Sequence, residues 1–143
     1  MENSSFTTEE ITEGLFRFID NSPTAFHAVQ NAARMLEEAG YKKIVCETAA
    51  GIRAGGRYYA TRNDSALIAF RIPAGEMKGL RIAASHSDSP CFKVKETPEM
   101  DVEGHYVKLN TEGYGGMIMP SWFDRPLTVA GRLLVRTGSG IES

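Results

Sequence analysis

The sequence is poor in the features that would cross-link a small domain or anchor it in a bilayer. It has two cysteines, Cys46 and Cys91, too few for a disulfide framework and without the paired spacing of a structural zinc site. Both read as reduced thiols. No apolar run approaches the roughly 18 to 20 residues of a membrane span, and the polar opening MENSSFTTEE has neither the basic flank nor the apolar core of a signal peptide. No membrane partner is expected, and the chain reads as cytoplasmic. An excess of charge of one sign is also missing, since 16 Lys and Arg against 18 Asp and Glu leave a formal net charge of −2. That balance gives no electrostatic reason to expect nucleic acid or anionic lipid as a partner. What is present, 42% hydrophobic and 24% charged residues in 143, excludes wholesale disorder and suits one small globular domain or part of a larger one.

The first half of the chain carries helical patterning. Thr7 and Glu10 have the spacing of a capping box, and Ile11, Leu15, Phe18 and Ile19 follow at helical intervals, which predicts an amphipathic helix over Thr8 to Asp20. A second helix is expected with Ser22 as N-cap, Pro23 as its first residue, a stripe of Phe26, Val29, Ala33 and Leu36, and Gly40 just past its end. His27 lies beside that stripe with no acidic or histidine residue four positions away, so it reads as a helix-surface histidine. Glu9, Glu10, Glu37 and Glu38 belong to acidic helix faces that read as solvated.

From Gly56 the period changes to that of strands. Arg57 to Thr61 and Ala66 to Ile72 are β-rich runs around Arg62, Asn63, Asp64 and Ser65, and so read as a hairpin. Two helices, a hairpin and a following apolar strand imply an α/β domain. The charged stretch Lys93, Lys95, Glu96, Glu99, Asp101 and Glu103 reads as a solvated edge. Beyond it, Tyr106 to Asn110, Gly113 to Met119 and Leu127 to Arg136 read as strands without a helical stripe. A domain boundary is expected near Val94, dividing the chain into residues 1–94 and a β-rich part, 95–143. His105, between alternating neighbours, reads as a strand residue.

The segment with the most chemical content is Leu80 to Pro90, LRIAASHSDSP. Ile82, Ala83, Ala84 and Ser85 suit a central strand buried on both faces, and ligand sites of open α/β sheets lie at the carboxyl ends of such strands, where His86 falls. On an extended segment, residues two apart share a side, so His86 can ligate a metal while Asp88 sits beside it. Pro90 cannot donate to a ladder and ends the strand, leaving the pair at a rim. The plain alternative for Asp88 is a turn cap bonded to the backbone before Pro90.

Five blocks, Asn21 to Val29 (NSPTAFHAV), Arg62 to Phe70 (RNDSALIAF), His86 to Cys91 (HSDSPC), Tyr114 to Gly116 (YGG) and Ser121 to Gly131 (SWFDRPLTVAG), resemble in this order the N-terminal third of the aspartyl aminopeptidase family of dinuclear zinc peptidases. The resemblance implies the N-terminal part of a three-layer α/β/α zinc-peptidase domain, followed by the start of an inserted β-rich dimerisation domain. It also implies an enzyme that removes N-terminal residues, typically acidic ones, from peptides with two zinc ions and an attacking water. By resemblance His86 is a zinc ligand and Asp88 the aspartate that orients it. The bridging Asp, the Glu pair, a later Asp, the last His ligand and the dimerisation-domain histidine map onto no residue of this chain. The family also implies homo-oligomers, dodecamers built from dimers. Manganese or cobalt would suit the same donor types.

On this reading the chain is a fragment that is inactive alone, because one His cannot hold a catalytic metal pair. The alternatives are a naturally short, non-catalytic binding or assembly module of the same descent, and a cysteine hydrolase pairing Cys91 with His86. The last lacks a third group to orient the base.

Overall fold

A computed structural model describes residues 6–45, 48 and 51–143, so Cys46 lies outside the described residues. The chain forms two compact units, Met1–Asp88 with Ala130–Ser143, and Ser89–Val129.

In the first unit, helix α1 spans Thr8–Asp20 and helix α2 spans Ala25–Glu38. The α1 boundaries are those that the sequence predicts. Thr7 Oγ1 accepts from the Glu10 amide at 3.2 Å, and the Glu10 carboxylate accepts from the Thr7 amide at 2.8 Å, which satisfies two amides that the first helical turn leaves without partners. The Thr7 backbone bond, then the Thr7 hydroxyl, hold the Glu10 carboxyl below its usual pKa. Of the apolar stripe, Phe18 is half-buried while Ile11, Leu15 and Ile19 stay exposed.

Helix α2 starts later than its predicted cap. Ser22 still belongs to the end of α1, where its amide donates to the Ile19 carbonyl, so capping falls to Thr24, whose extended backbone precedes Ala25. Ser22 Oγ instead accepts from Asn31 Nδ2 at 3.1 Å, which ties the short linker to the side of α2. At the other end the expectation for Gly40 holds. Its φ of +81° lets Gly40 and Tyr41 donate to the carbonyls of Glu37 and Leu36, both at 2.9 Å, closing the helix with a Schellman motif.

Three strands form one sheet in the order β1 (Lys42–Lys43), β2 (Arg57–Arg62), β3 (Ala66–Arg71). β2 and β3 are the expected hairpin, in antiparallel register from Arg57↔Arg71 to Arg62↔Ala66. Its turn holds Asn63 and Asp64 at φ of 51° and 54°, left-handed values that Asn and Asp tolerate better than most residues. The parallel pairing of the two-residue β1 with β2 is too short to leave a pattern in the sequence.

The core lies where α2 meets β2. Among the described residues only Val29, Tyr58, Tyr59 and Ala60 are buried. Adjacent residues of a strand face opposite ways, so the burial of both tyrosines means that both faces of β2 are covered. Tyr59 reaches α2, where its hydroxyl donates to Glu37. On the other face the Tyr58 hydroxyl accepts from the Arg53 amide at 2.9 Å and donates to the Gly51 carbonyl at 3.2 Å.

The segment Leu80 to Pro90 is not the expected buried strand. None of its residues pairs in a ladder, and Leu80 and Ile82 are 79% and 85% exposed. A central strand requires neighbours on both edges and layers on both faces, and no described segment supplies either. The expectation for Leu127 to Arg136 also narrows to a short hairpin of β6 (Val135–Thr137) and β7 (Gly140–Glu142).

The second unit is a ribbon of β4 (Cys91–Val102) and β5 (Tyr106–Tyr114). The charged stretch lies along β4 with its side chains exposed, in keeping with a solvated edge. Residue 94 lies inside β4, so the shift in composition falls within a strand. The ladder breaks between Val94 and Glu99, where Pro98 has no amide to donate, and Asn110 Nδ2 fills the gap by donating to the Thr97 carbonyl at 3.1 Å. Glu103 and Gly104, at φ of 54° and 69°, make the turn. His105 sits in that turn rather than in a strand, with its amide donating to Val102 at 3.0 Å. β5 ends at Tyr114, so of the strand expected over Gly113 to Met119 only the first two residues pair, as the end of β5, and the chain leads on to a 3-10 helix at Met119–Trp122. Trp122 meets Phe92 edge to face at 5.4 Å, seating that turn on the ribbon.

Candidate metal centre

His86 and Asp88 are brought together although their segment is not a paired strand. His86 Nδ1 lies 2.9 Å from Asp88 Oδ1 and 2.8 Å from the Asp88 carbonyl oxygen. A carbonyl can only accept, so Nδ1 carries the proton and donates to both oxygens of the same residue. In the neutral ring the lone pair is then on Nε2. That nitrogen belongs to a side chain that is 80% exposed, beside a carboxylate that is 44% exposed.

The segment between them is tethered. Ser87 Oγ donates to the Ser65 carbonyl at 2.8 Å, connecting the His86 segment to the β2–β3 turn. On the other side of that turn Arg132 Nη1 donates to the Asn63 carbonyl and to Asp64 Oδ2, each at 3.1 Å. The guanidinium also lies 4.6 Å from the centre of the Phe26 ring on α2. Neither Ser87 nor Arg132 stands out in the sequence. Arg132 is 68 positions from Asp64, and no periodicity links residues so far apart.

The other candidate groups lie elsewhere. His27 Nδ1 is 2.8 Å from Thr24 Oγ1, the N-cap of its own helix, as a helix-surface histidine would be. Cys91 opens β4 opposite Tyr114 as a half-buried free thiol. Two of the helix glutamates have structural partners, Glu10 at the cap of α1 and Glu37 at Tyr59. The Glu37 hydrogen bond, and then burial, push the Tyr59 phenol up to about 12.

Among the described residues no three His, Cys, Asp or Glu side chains gather closely enough to hold a metal ion. The donor chemistry at His86 nonetheless fits one zinc ligand: an accessible Nε2 lone pair, with the opposite nitrogen donating to a carboxylate that fixes the tautomer. A catalytic zinc takes about three protein ligands, so this pair by itself would not hold one.

Residues 18–143 match a sequence model described as aminopeptidase I zinc metalloprotease (M18). A probable M18 family aminopeptidase 2 of Clostridium acetobutylicum is 46% identical over 134 residues, covering 92% of this chain and 31% of that protein. Among solved structures, yeast aminopeptidase 1 (Ape1) superposes with a TM-score of 0.87 at 29% identity, covering 95% of this chain and 33% of that one. The S. cerevisiae mApe1 dodecamer gives a TM-score of 0.84 at 29% identity, covering 94% and 32%. The chain thus spans about a third of the length of the relatives it matches. The mixed helix and strand architecture is that of the N-terminal portion of these proteins.

Proposed function

The chain belongs to the aminopeptidase I zinc metalloprotease (M18) family, and from that premise we propose that it serves as the N-terminal part of a metal-dependent aminopeptidase. The observation that carries the activity is the 46% identity to an M18 aminopeptidase over nearly the whole chain. The finer reading is release of N-terminal, acidic residues from peptides at a centre of two zinc ions. In that centre His86 supplies Nε2 as one ligand, and Asp88 holds the ring in the Nδ1–H tautomer. The bond from Nδ1 to Asp88 supports this division of roles. When bound, such a metal pair lowers the pKa of a water and polarises the scissile carbonyl. Among the described residues no further donors gather with His86 to complete such a centre.

Residues 95–143 are read as the beginning of a β-rich dimerisation domain. The uncovered ribbon supports that role, because a two-stranded unit is marginal by itself and gains from pairing. The mApe1 dodecamer supports a homo-oligomer as the working form, and a cytoplasmic location goes with this reading.

The test is His86→Ala in the whole protein, with bound metal and hydrolysis of an acidic N-terminal peptide analogue as readouts. Metal occupancy should fall and turnover should drop to near background while the helices stay folded. An enzyme that keeps both full occupancy and full turnover would remove His86 from the ligand set.

A further inference from the structure

We propose that Arg132 is a positioning residue for the His86–Asp88 pair, acting through the β2–β3 turn and Ser87. The inference rests on the reading of His86 as a metal ligand. Five contacts form a continuous path. Phe26 on α2 lies under the Arg132 guanidinium, whose Nη1 holds both the Asn63 carbonyl and the Asp64 carboxylate. The next residue of that turn, Ser65, accepts from Ser87, and Ser87 stands between His86 and Asp88.

Three features make the path more than adjacency. The His86 segment has no ladder of its own, and the Ser87 hydroxyl bonds it to the β2–β3 turn. The turn it bonds to is held at two consecutive left-handed residues, a conformation that an added donor on the Asn63 carbonyl helps to fix. Arg132 is the most covered member of its ion pair, with its side chain 27% exposed against 64% for Asp64, so its anchor is the aromatic ring and not solvent. A charge-assisted donor seated on an aromatic face is well suited to locking a turn. An outer-layer group that orients a metal ligand commonly changes metal affinity about 10 to 100-fold when removed.

The experiment compares Arg132→Met, Arg132→Lys, Ser87→Ala and Ser87→Thr in the whole protein. Zinc affinity is measured by chelator competition, and hydrogen exchange is followed in the metal-free protein. Arg132→Met and Ser87→Ala should each weaken zinc binding by about 10-fold or more, and the double variant should be little worse than either, because both break one path. Exchange should quicken at residues 84–89 with α2 unchanged. Lys at 132 and Thr at 87 keep the donors and should restore most of the affinity. The proposal is overturned if both donor-deleting variants bind zinc within about twofold of the parent, or if their effects simply add. His86→Ala separates the two readings: retained zinc affinity there removes the ligand assignment. Loss of affinity there, with none in Arg132→Met and Ser87→Ala, removes only the positioning role.

Discussion

At the scale of single residues, Tyr59 and His86 use hydrogen bonding in different ways. Tyr59 is 1% exposed and donates to Glu37, so its phenol is held protonated up to about 12 in the folded chain. Its pKa is raised above the ordinary 10.0, so the stabilisation is complete below pH 10 and is lost as the pH climbs towards 12. Denaturant titrations at rising pH should therefore show stability falling in that alkaline interval. Tyr59→Phe should flatten this dependence and cost about 1 kcal/mol at neutral pH. An alkaline slope unchanged in Tyr59→Phe would mean that another group is responsible. The His86–Asp88 contact was legible from two residues at a spacing of two, because a short-range contact depends on little beyond local backbone. Arg132 was not, since its partners are set by how α2, the hairpin and the chain after Ala130 come together.

At the scale of elements, legibility follows how local the determinants are. Helix α1 agrees with its prediction at both ends because a capping box is a contact between residues three apart, complete in the sequence. The start of α2 shifts from Ser22 to Thr24 because two signals compete within four residues and the end of α1 claims the first. The segment from Leu80 has a buried strand's composition without its pairing, since composition records which environment a strand suits and not which partner supplies it. Gly56 gives the sharpest test of an element. A Cβ there would clash with the hydroxyl end of Tyr58, and that ring is held by hydrogen bonds at its hydroxyl and by Phe70 at 5.8 Å. Gly56→Ala should therefore destabilise the first unit by about 1 to 3 kcal/mol as Tyr58 is displaced, measured by urea unfolding followed through tyrosine fluorescence. A neutral effect would mean that the loop from Gly51 to Gly56 yields without moving the ring.

At the scale of the whole molecule, the described residues set four buried core side chains against many exposed large apolar ones. Exposed Leu80, Ile82, Leu133 and Leu134 would be buried in a finished α/β sheet domain, as the match to about a third of longer relatives leads one to expect. The 143-residue chain purified alone should bind no stoichiometric zinc pair, hydrolyse no acidic peptide analogue and tend to self-associate. Metal analysis, an activity assay and light scattering check the three together. Two bound zinc ions with turnover would mean that residues placed on its surfaces are ligands. The turn at Asn63 and Asp64 also has a consequence in time. It is gripped from two distances along the chain, by Ser87 22 residues from Ser65 and by Arg132 68 residues from Asp64. Loop closure over the longer span costs about 1 kcal/mol more in chain entropy than over the shorter. During folding the near grip therefore closes ahead of the far one, and Arg132 arrives as a latch on a turn that already carries the His86 segment.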